Sequence, residues 1–229
     1  MTTLKKSCGR RSNLALVIGL TSVFASASTQ ARAADQASTD RQLAAICGQT
    51  TCRTEKIIEL RAPNDNVVRF KSDPVPYVYN GTLTIYPGET YAVRMRVRGT
   101  ELGAPVFENG SEGKPLPAPT GYKPEVEAKA VQDTAGAPVD ALVYFSFKQT
   151  EAKQQQGTDM LLEIVSALPV TVKYDAVMFV ATPSGIQPDR TSSCPVFAGA
   201  ASIERWTVPL TMLALSNFRI APERNPSCR

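Results

Sequence analysis

The chain has 229 residues, with 25 basic and 21 acidic side chains and no histidine. Without histidine, a Ser-His-Asp or Cys-His catalytic site and a histidine-ligated metal are excluded. Residues 1–33 contain five of the basic side chains and no acid, which leaves 20 basic against 21 acidic residues in the rest of the chain. The basic balance of the whole sequence therefore gives no support for nucleic-acid binding.

Residues 1–33 have the pattern of a cleaved secretory signal peptide. Basic residues come first, the apolar run Leu14–Leu20 follows, and small residues then fit cleavage after Ala27 or after Ala33. The apolar run is too short for a stable membrane span, so an uncleaved anchor is the weaker alternative. We expect an exported protein, periplasmic or secreted on the assumption of a bacterial source, with no membrane span after cleavage.

Residues 34–53 are predicted to form a short helix followed by a disulfide turn. Ser38–Asp40 can cap a helix through Arg41–Ile46, in which Leu43 and Ile46 share a face. The turn that follows carries the first two of the cysteines discussed next.

Four cysteines follow the signal peptide, an even number that predicts two disulfides in an oxidising compartment. Proximity in sequence favours Cys47–Cys52 and Cys194–Cys228, and the other two sets of pairings stay open. A redox pair or a metal site is the alternative. Redox motifs usually have two residues between the cysteines, whereas four separate Cys47 from Cys52, and a zinc site would have no histidine ligand.

Residues 54–229 are predicted to form a single β-sandwich domain. Short runs of alternating apolar and polar residues are separated by turn-forming residues, and Asn80-Gly81 between two such runs is a strong hairpin signal. No strand is predicted for the Pro- and Gly-rich stretch Asn109–Pro124. Strands are predicted at Ile57–Leu60, Val67–Phe70, Tyr77–Tyr79, Thr82–Tyr86, Thr90–Arg98, Ala141–Lys148, Ile203–Val208 and Leu213–Ile220.

The most apolar part of the domain is the stretch from Met160 to Val180. Pro169 interrupts it and cannot lie in a central ladder because it lacks a backbone N–H. We therefore predict two buried strands, Met160–Val165 and Val170–Val180, joined by a tight reversal. About ten strands and no long helical period indicate an all-β, two-sheet sandwich, immunoglobulin-like or jelly-roll. Trp206 is expected to be at least half buried as a core anchor.

Three acids stand in apolar segments where burial raises a carboxyl pKa: Glu163, Asp175 and Glu204. A pair of carboxylates is enough for a glycan hydrolase or lyase. Nothing in the sequence brings the three together, so the structural interpretation is favoured: Glu163 on a solvated face, Asp175 bonded to backbone, and Glu204 paired with an arginine. We predict no catalytic residue, no metal site and no cofactor.

Arg94, Arg96 and Arg98 recur at period two and project from one face of a strand. Such a row fits an anionic ligand, such as a phosphate, a uronic acid, a lipid head group or an acidic partner. The alternative is a solvated face whose arginines pair with acids on neighbouring strands. Glu125 and Glu127, which also alternate, are the expected partners.

The sequence favours a non-catalytic, exported cell-envelope β-sandwich that binds a protein or glycan partner through its edges and loops. A carboxylate-dependent glycan hydrolase or lyase on the same fold is the first alternative. An envelope assembly chaperone that donates or accepts a strand is the second.

Overall fold

The computed structural model describes residues 41–62, 66–110, 115–121, 129–130, 133–150, 159–182, 184–221 and 228. The chain divides into two compact units, Met1–Ala44 and Ala45–Arg229, and all the strands described below lie in the second. The predicted N-terminal helix is present over residues 41–47. Its expected cap, Ser38–Asp40, lies outside the described residues.

Thirteen antiparallel strands are found within the described residues, against about ten predicted. Three strands were not predicted, the sixth, the seventh and the eleventh in chain order, because each of them is short or contains turn-forming residues. The strands are β1 (Ile57–Arg61), β2 (Val67–Lys71), β3 (Val78–Tyr79), β4 (Thr82–Ile85), β5 (Glu89–Arg98), β6 (Glu101–Leu102), β7 (Val106–Gly110), β8 (Val139–Gln149), β9 (Met160–Ser166), β10 (Val172–Thr182), β11 (Gly185–Thr191), β12 (Ala201–Trp206) and β13 (Leu210–Ile220).

The strands form two sheets and a separate ribbon, which confirms the predicted all-β sandwich. Sheet A has the order β11-β10-β13-β4-β3. Sheet B has the order β12-β9-β8-β5, with β6 and β7 both paired to the remaining side of β5. Strands β1 and β2 form the ribbon.

The core lies between the sheets because alternate residues of each strand face inward. On β5 the inward residues are buried while the arginines between them are exposed. Tyr174 is 1% exposed, as is Val172 on the same face of β10. The central core residues are Leu83, Ile85, Tyr91, Val93, Met95, Phe145, Phe147, Leu162, Ile164, Tyr174, Leu213 and Leu215.

The Asn80-Gly81 hairpin is confirmed. Strands β3 and β4 pair in antiparallel register across it, and both turn residues have positive φ, 48° for Asn80 and 73° for Gly81. Two central residues with positive φ match the right-handed twist of the flanking strands, which is why Asn-Gly is favoured there.

The tight reversal predicted around Pro169 is wrong, because β9 belongs to sheet B and β10 to sheet A. Residues 167–171 carry the chain from one sheet to the other, with Leu168 and Val170 buried on the way. Backbone groups of the crossing segment form hydrogen bonds with neighbouring segments: Ala167 N donates to Leu142 O, and Gly199 N donates to Leu168 O. Pro169 lies where a ladder donor is not needed.

The alternation predicted for β13 is interrupted by a bulge. Lys173 pairs with Arg219 and Asp175 pairs with Ser216, so two residues of β13 lie opposite Tyr174. The bulge turns Phe218 toward the core, where its ring lies 5.7 Å from that of Tyr174. It leaves Asn217 outside with a φ of 52°, a conformation that Asn tolerates better than most residues.

Both disulfides are formed, with the pairing that proximity predicted. Cys47–Cys52 closes the turn after the helix. Cys194–Cys228 joins two cysteines that are 34 residues apart and ties the C-terminal end of the chain to the segment after β11.

A buried ion pair, which sequence analysis missed, holds the corner where the chain passes from sheet A to sheet B. Arg53 and Glu89 are 4% and 6% exposed, and Arg53 Nε lies 2.7 Å from Glu89 Oε1. Arg53 Nη2 donates to Glu89 Oε2 at 3.1 Å, and Nη1 donates to Pro76 O at 2.8 Å and Thr84 Oγ1 at 3.0 Å. Tyr86 N donates to Glu89 Oε2 at 2.8 Å, so both charges are fully bonded.

Glu89→Gln should destabilise the protein strongly, because it leaves the Arg53 charge buried without a counter-charge. We expect a loss of about 3–5 kcal/mol in the free energy of unfolding. The matched control is Glu59→Gln, which removes the exposed pair with Arg69 and should cost about 0–1 kcal/mol. Urea unfolding with the disulfides intact measures both, and equal losses would contradict the role given to Arg53–Glu89.

Candidate functional site

The arginine row projects from the outer face of β5, as its spacing predicted, and all three arginines are exposed. Arg94 pairs with Glu108 on β7. Arg96 makes a bidentate pair with Asp140 on β8, at 2.7 and 2.8 Å. The expected partners, Glu125 and Glu127, lie outside the described residues.

These ion pairs leave little free charge in the row. The hydrogen bond from Arg96 lowers the pKa of Asp140, so that carboxylate stays ionised opposite its arginine. Exposed pairs of this kind contribute little to stability because solvent screens them. Arg98 is the one member with no ion pair among the described residues. The acids found on neighbouring strands agree with the interpretation of the row as a solvated face. An anion site formed by all three arginines stays a prediction.

The three acids proposed for glycan cleavage lie in three separate places, two on the outer faces of different sheets and one in the interior. Glu163 is on the outer face of sheet B, where Lys148 Nζ bonds it at 2.9 Å. Asp175 is on the outer face of sheet A, where it accepts bonds from two side chains of β13, not from backbone as expected. Glu204 faces the interior, because it pairs in the ladder with the buried Leu162. The fold therefore does not bring these carboxylates together.

Glu204 links the two sheets, and its partner is not the arginine predicted. Its Oε1 accepts from the Tyr174 hydroxyl of sheet A at 2.8 Å and from Cys194 N at 2.7 Å. The other carboxyl oxygen, Oε2, is buried with no partner among the described residues. Burial raises the pKa of Glu204 above its ordinary value of 4.5, although both hydrogen bonds oppose the shift.

The burial expected for Trp206 is confirmed. Its ring packs edge-on against Phe147 at 6.5 Å, and its Nε1 donates to Thr191 Oγ1 at 3.1 Å. The tryptophan is thus a packing residue at the junction of β12 and β11.

An uncharged groove of about 300 Å³ lies between the edge strands β3 and β7. The turn after the N-terminal helix forms one wall, and the Asn80-Gly81 hairpin forms another. None of the residues that line it, all of them described, is charged: Ile46, Gln49, Thr50, Val78, Tyr79, Asn80, Gly81, Pro105, Val106 and Phe107.

Two large apolar side chains are exposed along this groove, Tyr79 at 47% and Val106 at 60%. Beneath them, Phe107 stacks on Tyr77 at 4.3 Å, so the floor joins the core. Sequence analysis did not find this groove. The only local signal for β7 is Val106-Phe107 after a proline, and its neighbours are set by pairing with β5.

The chain matches no protein-family model, no curated protein and no solved structure in the comparisons made. Within the described residues, no group of three or more His, Cys, Asp or Glu side chains is placed to hold a metal ion. In that same part of the chain, no helix has the length and apolar character needed to cross a membrane. Function is therefore inferred from the geometry of the described side chains.

Glu204→Gln should change how stability depends on pH. The raised pKa means that the folded protein holds the Glu204 proton more tightly than the unfolded chain does. The resulting stability is full below pH 4.5 and is lost as the pH rises through the folded-state pKa. Glutamine keeps an oxygen for Tyr174 and Cys194 and does not titrate, so this part of the pH dependence should disappear.

Tyr174→Phe is the companion variant, because it removes a hydroxyl that favours the ionised form of Glu204. The loss of stability should then extend to higher pH than in the wild type. Urea unfolding from pH 4 to 8 measures all three proteins. A Glu204→Gln curve parallel to that of the wild type would contradict the assignment.

Proposed function

We propose that this chain is an exported, non-catalytic β-sandwich of the cell envelope that binds an extended, uncharged segment of a partner protein in the groove between β3 and β7. The observation that carries the proposal is the groove itself: exposed apolar side chains and a sheet edge meet in one place, without a charged residue in its lining.

Export is supported by two independent features. The signal-peptide pattern of residues 1–33 comes from sequence, and those residues lie outside the described part of the chain. The two disulfides come from structure, and such bonds persist mainly in oxidising compartments.

The chemistry of the groove selects the class of partner. Single exposed hydrophobic residues are common on protein surfaces. Tyr79 and Val106 differ because they share one concave surface, where an apolar side chain of a partner would release water on both sides. A strongly charged segment would lose hydration there without gaining a counter-charge.

The edge strand β7 can form main-chain hydrogen bonds with a bound peptide. Among the described strands, β7 pairs only with β5, so its other side is an unpaired edge. An extended peptide can add to such an edge by main-chain hydrogen bonds, while alternate side chains enter the neighbouring groove. Edges of this kind are otherwise hazards for aggregation, which favours a use for this one.

The groove walls are held in place before binding. The Cys47–Cys52 bond closes the turn that carries Ile46, Gln49 and Thr50. The stack of Phe107 on Tyr77 fixes the floor. A preformed site loses less entropy when it binds, because its side chains are already ordered.

The strand-accepting chaperone is a special case of this proposal, in which the occupant is a segment of an incompletely folded partner. The same edge and the same apolar groove favour it. A chaperone would bind such a segment only before the partner folds, whereas a binding module would bind it in the mature partner as well.

Val106→Lys should weaken peptide binding strongly, because it places a charge in the uncharged groove. The matched control is Val139→Lys, since Val139 is also exposed (40%) but lies at the start of β8, outside the groove lining. A displayed library of random nine-residue peptides, selected on the wild type, should enrich uncharged segments with alternating apolar residues. Their affinity should fall at least about tenfold on the Val106 variant and stay unchanged on the control.

Two results would overturn the proposal. One is that no peptide is enriched on the wild type above the Val106→Lys protein. The other is that the enriched peptides are charged and bind both variants alike. Circular dichroism and thermal melting establish that each variant is folded before binding is compared.

A further inference from the structure

A second concave site lies on the outer face of sheet A, away from the groove. It is a pocket of about 380 Å³ formed by β10, β13 and the segment that runs from β11 to Cys194. Its polar lining consists of Asp175, Arg190, Thr191, Ser193 and Ser216, beside Val177. Opposite charges, hydroxyls and an apolar patch thus meet in one small space.

The β13 bulge builds the acidic side of this pocket. It turns Asn217 outward, and Asn217 Nδ2 donates to Asp175 Oδ2 at 2.8 Å. Arg219 Nη1 donates to Asp175 Oδ1 at 2.9 Å. Each carboxylate oxygen therefore has one fixed donor and retains a lone pair for another. The hydrogen bond from Asn217 is the largest effect that lowers the pKa of Asp175, and Arg219 and Arg190 lower it further. The carboxyl group therefore stays ionised and accepts hydrogen bonds.

Arg190 provides the basic side. It lies opposite Val177 in the β10–β11 ladder, on the face that carries Asp175, and it is exposed. Among the described residues it makes no hydrogen bond or ion pair that would occupy its guanidinium. Its neighbour Asp189 points to the other face, because successive residues of a strand alternate.

The charges define the ligand. Asp175 and Arg190 are the charged residues of the lining, and Arg219, which bonds Asp175 from outside the lining, leaves a local net positive charge of about one, which favours an anion. A phosphate carries more negative charge than a carboxylate, so the ionised Asp175 would repel it more strongly, and it offers fewer hydroxyl donors than a sugar does. An ammonium group would meet the guanidinium of Arg190 and a carboxylate that Arg219 already neutralises. The arrangement suits one carboxylate that carries neighbouring hydroxyl donors.

We propose that this pocket binds a carboxylated sugar, such as a uronic acid residue of an acidic polysaccharide. Arg190 holds the sugar carboxylate through two parallel N–H donors, a geometry that matches carboxylate oxygens. Asp175 accepts from sugar hydroxyls, and the Ser216 hydroxyl completes the polar contacts. A volume of about 380 Å³ falls within the usual range for small-ligand sites. Asn217 is a positioning residue that orients Asp175.

The test is a titration of the purified protein with trigalacturonic acid by calorimetry, alongside galactotriose, inorganic phosphate and glycine. We expect binding of the uronate trimer, weakened by salt, and at least tenfold weaker binding of the other three probes. Binding of the neutral sugar or of phosphate with the same affinity, tighter binding of glycine, or no uronate binding at millimolar concentration would each overturn the proposal.

Variants assign the roles. Arg190→Gln should weaken uronate binding at least tenfold, whereas Arg69→Gln on the exposed β1–β2 ribbon should leave it unchanged. Asp175→Asn should also weaken uronate binding; a gain in affinity would mean that Asp175 only repels anions, which contradicts its role as an acceptor. Asn217→Gly keeps the positive φ and removes the amide, so weaker uronate binding with an unchanged fold supports positioning.

The site and the groove can be tested apart. Val106→Lys should leave uronate binding intact, and Arg190→Gln should leave peptide binding intact. Loss of both activities in either variant would mean that the two sites are not independent and would overturn this assignment. Thermal melting establishes that each protein is folded.

Discussion

The buried pair of Arg53 and Glu89 is the interaction on which the arrangement of the sheets depends. Strand β4 ends in sheet A and β5 begins in sheet B, so the chain must change sheets within a few residues. Arg53 bonds Thr84 on β4 and Glu89 on β5, and it thereby fastens both sides of that corner. Its guanidinium also lies 4.3 Å from the centre of the Tyr77 ring. Because Tyr77 stacks on Phe107, the same arginine supports the floor of the groove.

Two buried polar links join the sheets at opposite sides of the sandwich. Arg53–Glu89 lies beside β4, near the edge that carries the groove, and Tyr174–Glu204 lies between β10 and β12, near the other edge. The charges of buried pairs lose hydration, and the gain from pairing often no more than offsets that loss. We infer that these links fix which strands meet, while the apolar core between them supplies most of the stability. Glu204 Oε2, which has no partner among the described residues, fits this division because a buried polar atom without a hydrogen bond lowers stability.

Local patterns in the sequence predicted the local structure. Period-two alternation located β5 and its arginines, Asn80-Gly81 located a hairpin, and proximity of cysteines gave the disulfide pairing. Long-range features were not predictable, because no local pattern encodes them. Arg53 and Glu89 are 36 residues apart, and nothing near either one marks the other as a partner.

The errors have physical causes of the same kind. The sequence around Pro169 is expected to be apolar both in a buried hairpin and in a crossing between sheets, because either structure buries these residues. Strict alternation along β13 would place Asn217 on the inward face with Leu213 and Leu215, but the bulge shifts the alternation by one residue. An Asn within a strand is only a weak sequence signal for such a bulge. Both proposed sites arise at such places: one at an edge strand missed in the sequence, the other at the bulge.

Amide hydrogen exchange on β7 is the measurement that tests the binding account most directly. The purified protein would be compared with and without a saturating peptide selected for the groove. If a partner segment adds to the sheet, exchange should slow at amides of Val106–Gly110 that do not bond to β5, while amides of β11 at the opposite edge of sheet A stay unchanged. Slower exchange spread evenly over both edges, or none on β7, would contradict recognition through this edge and its groove.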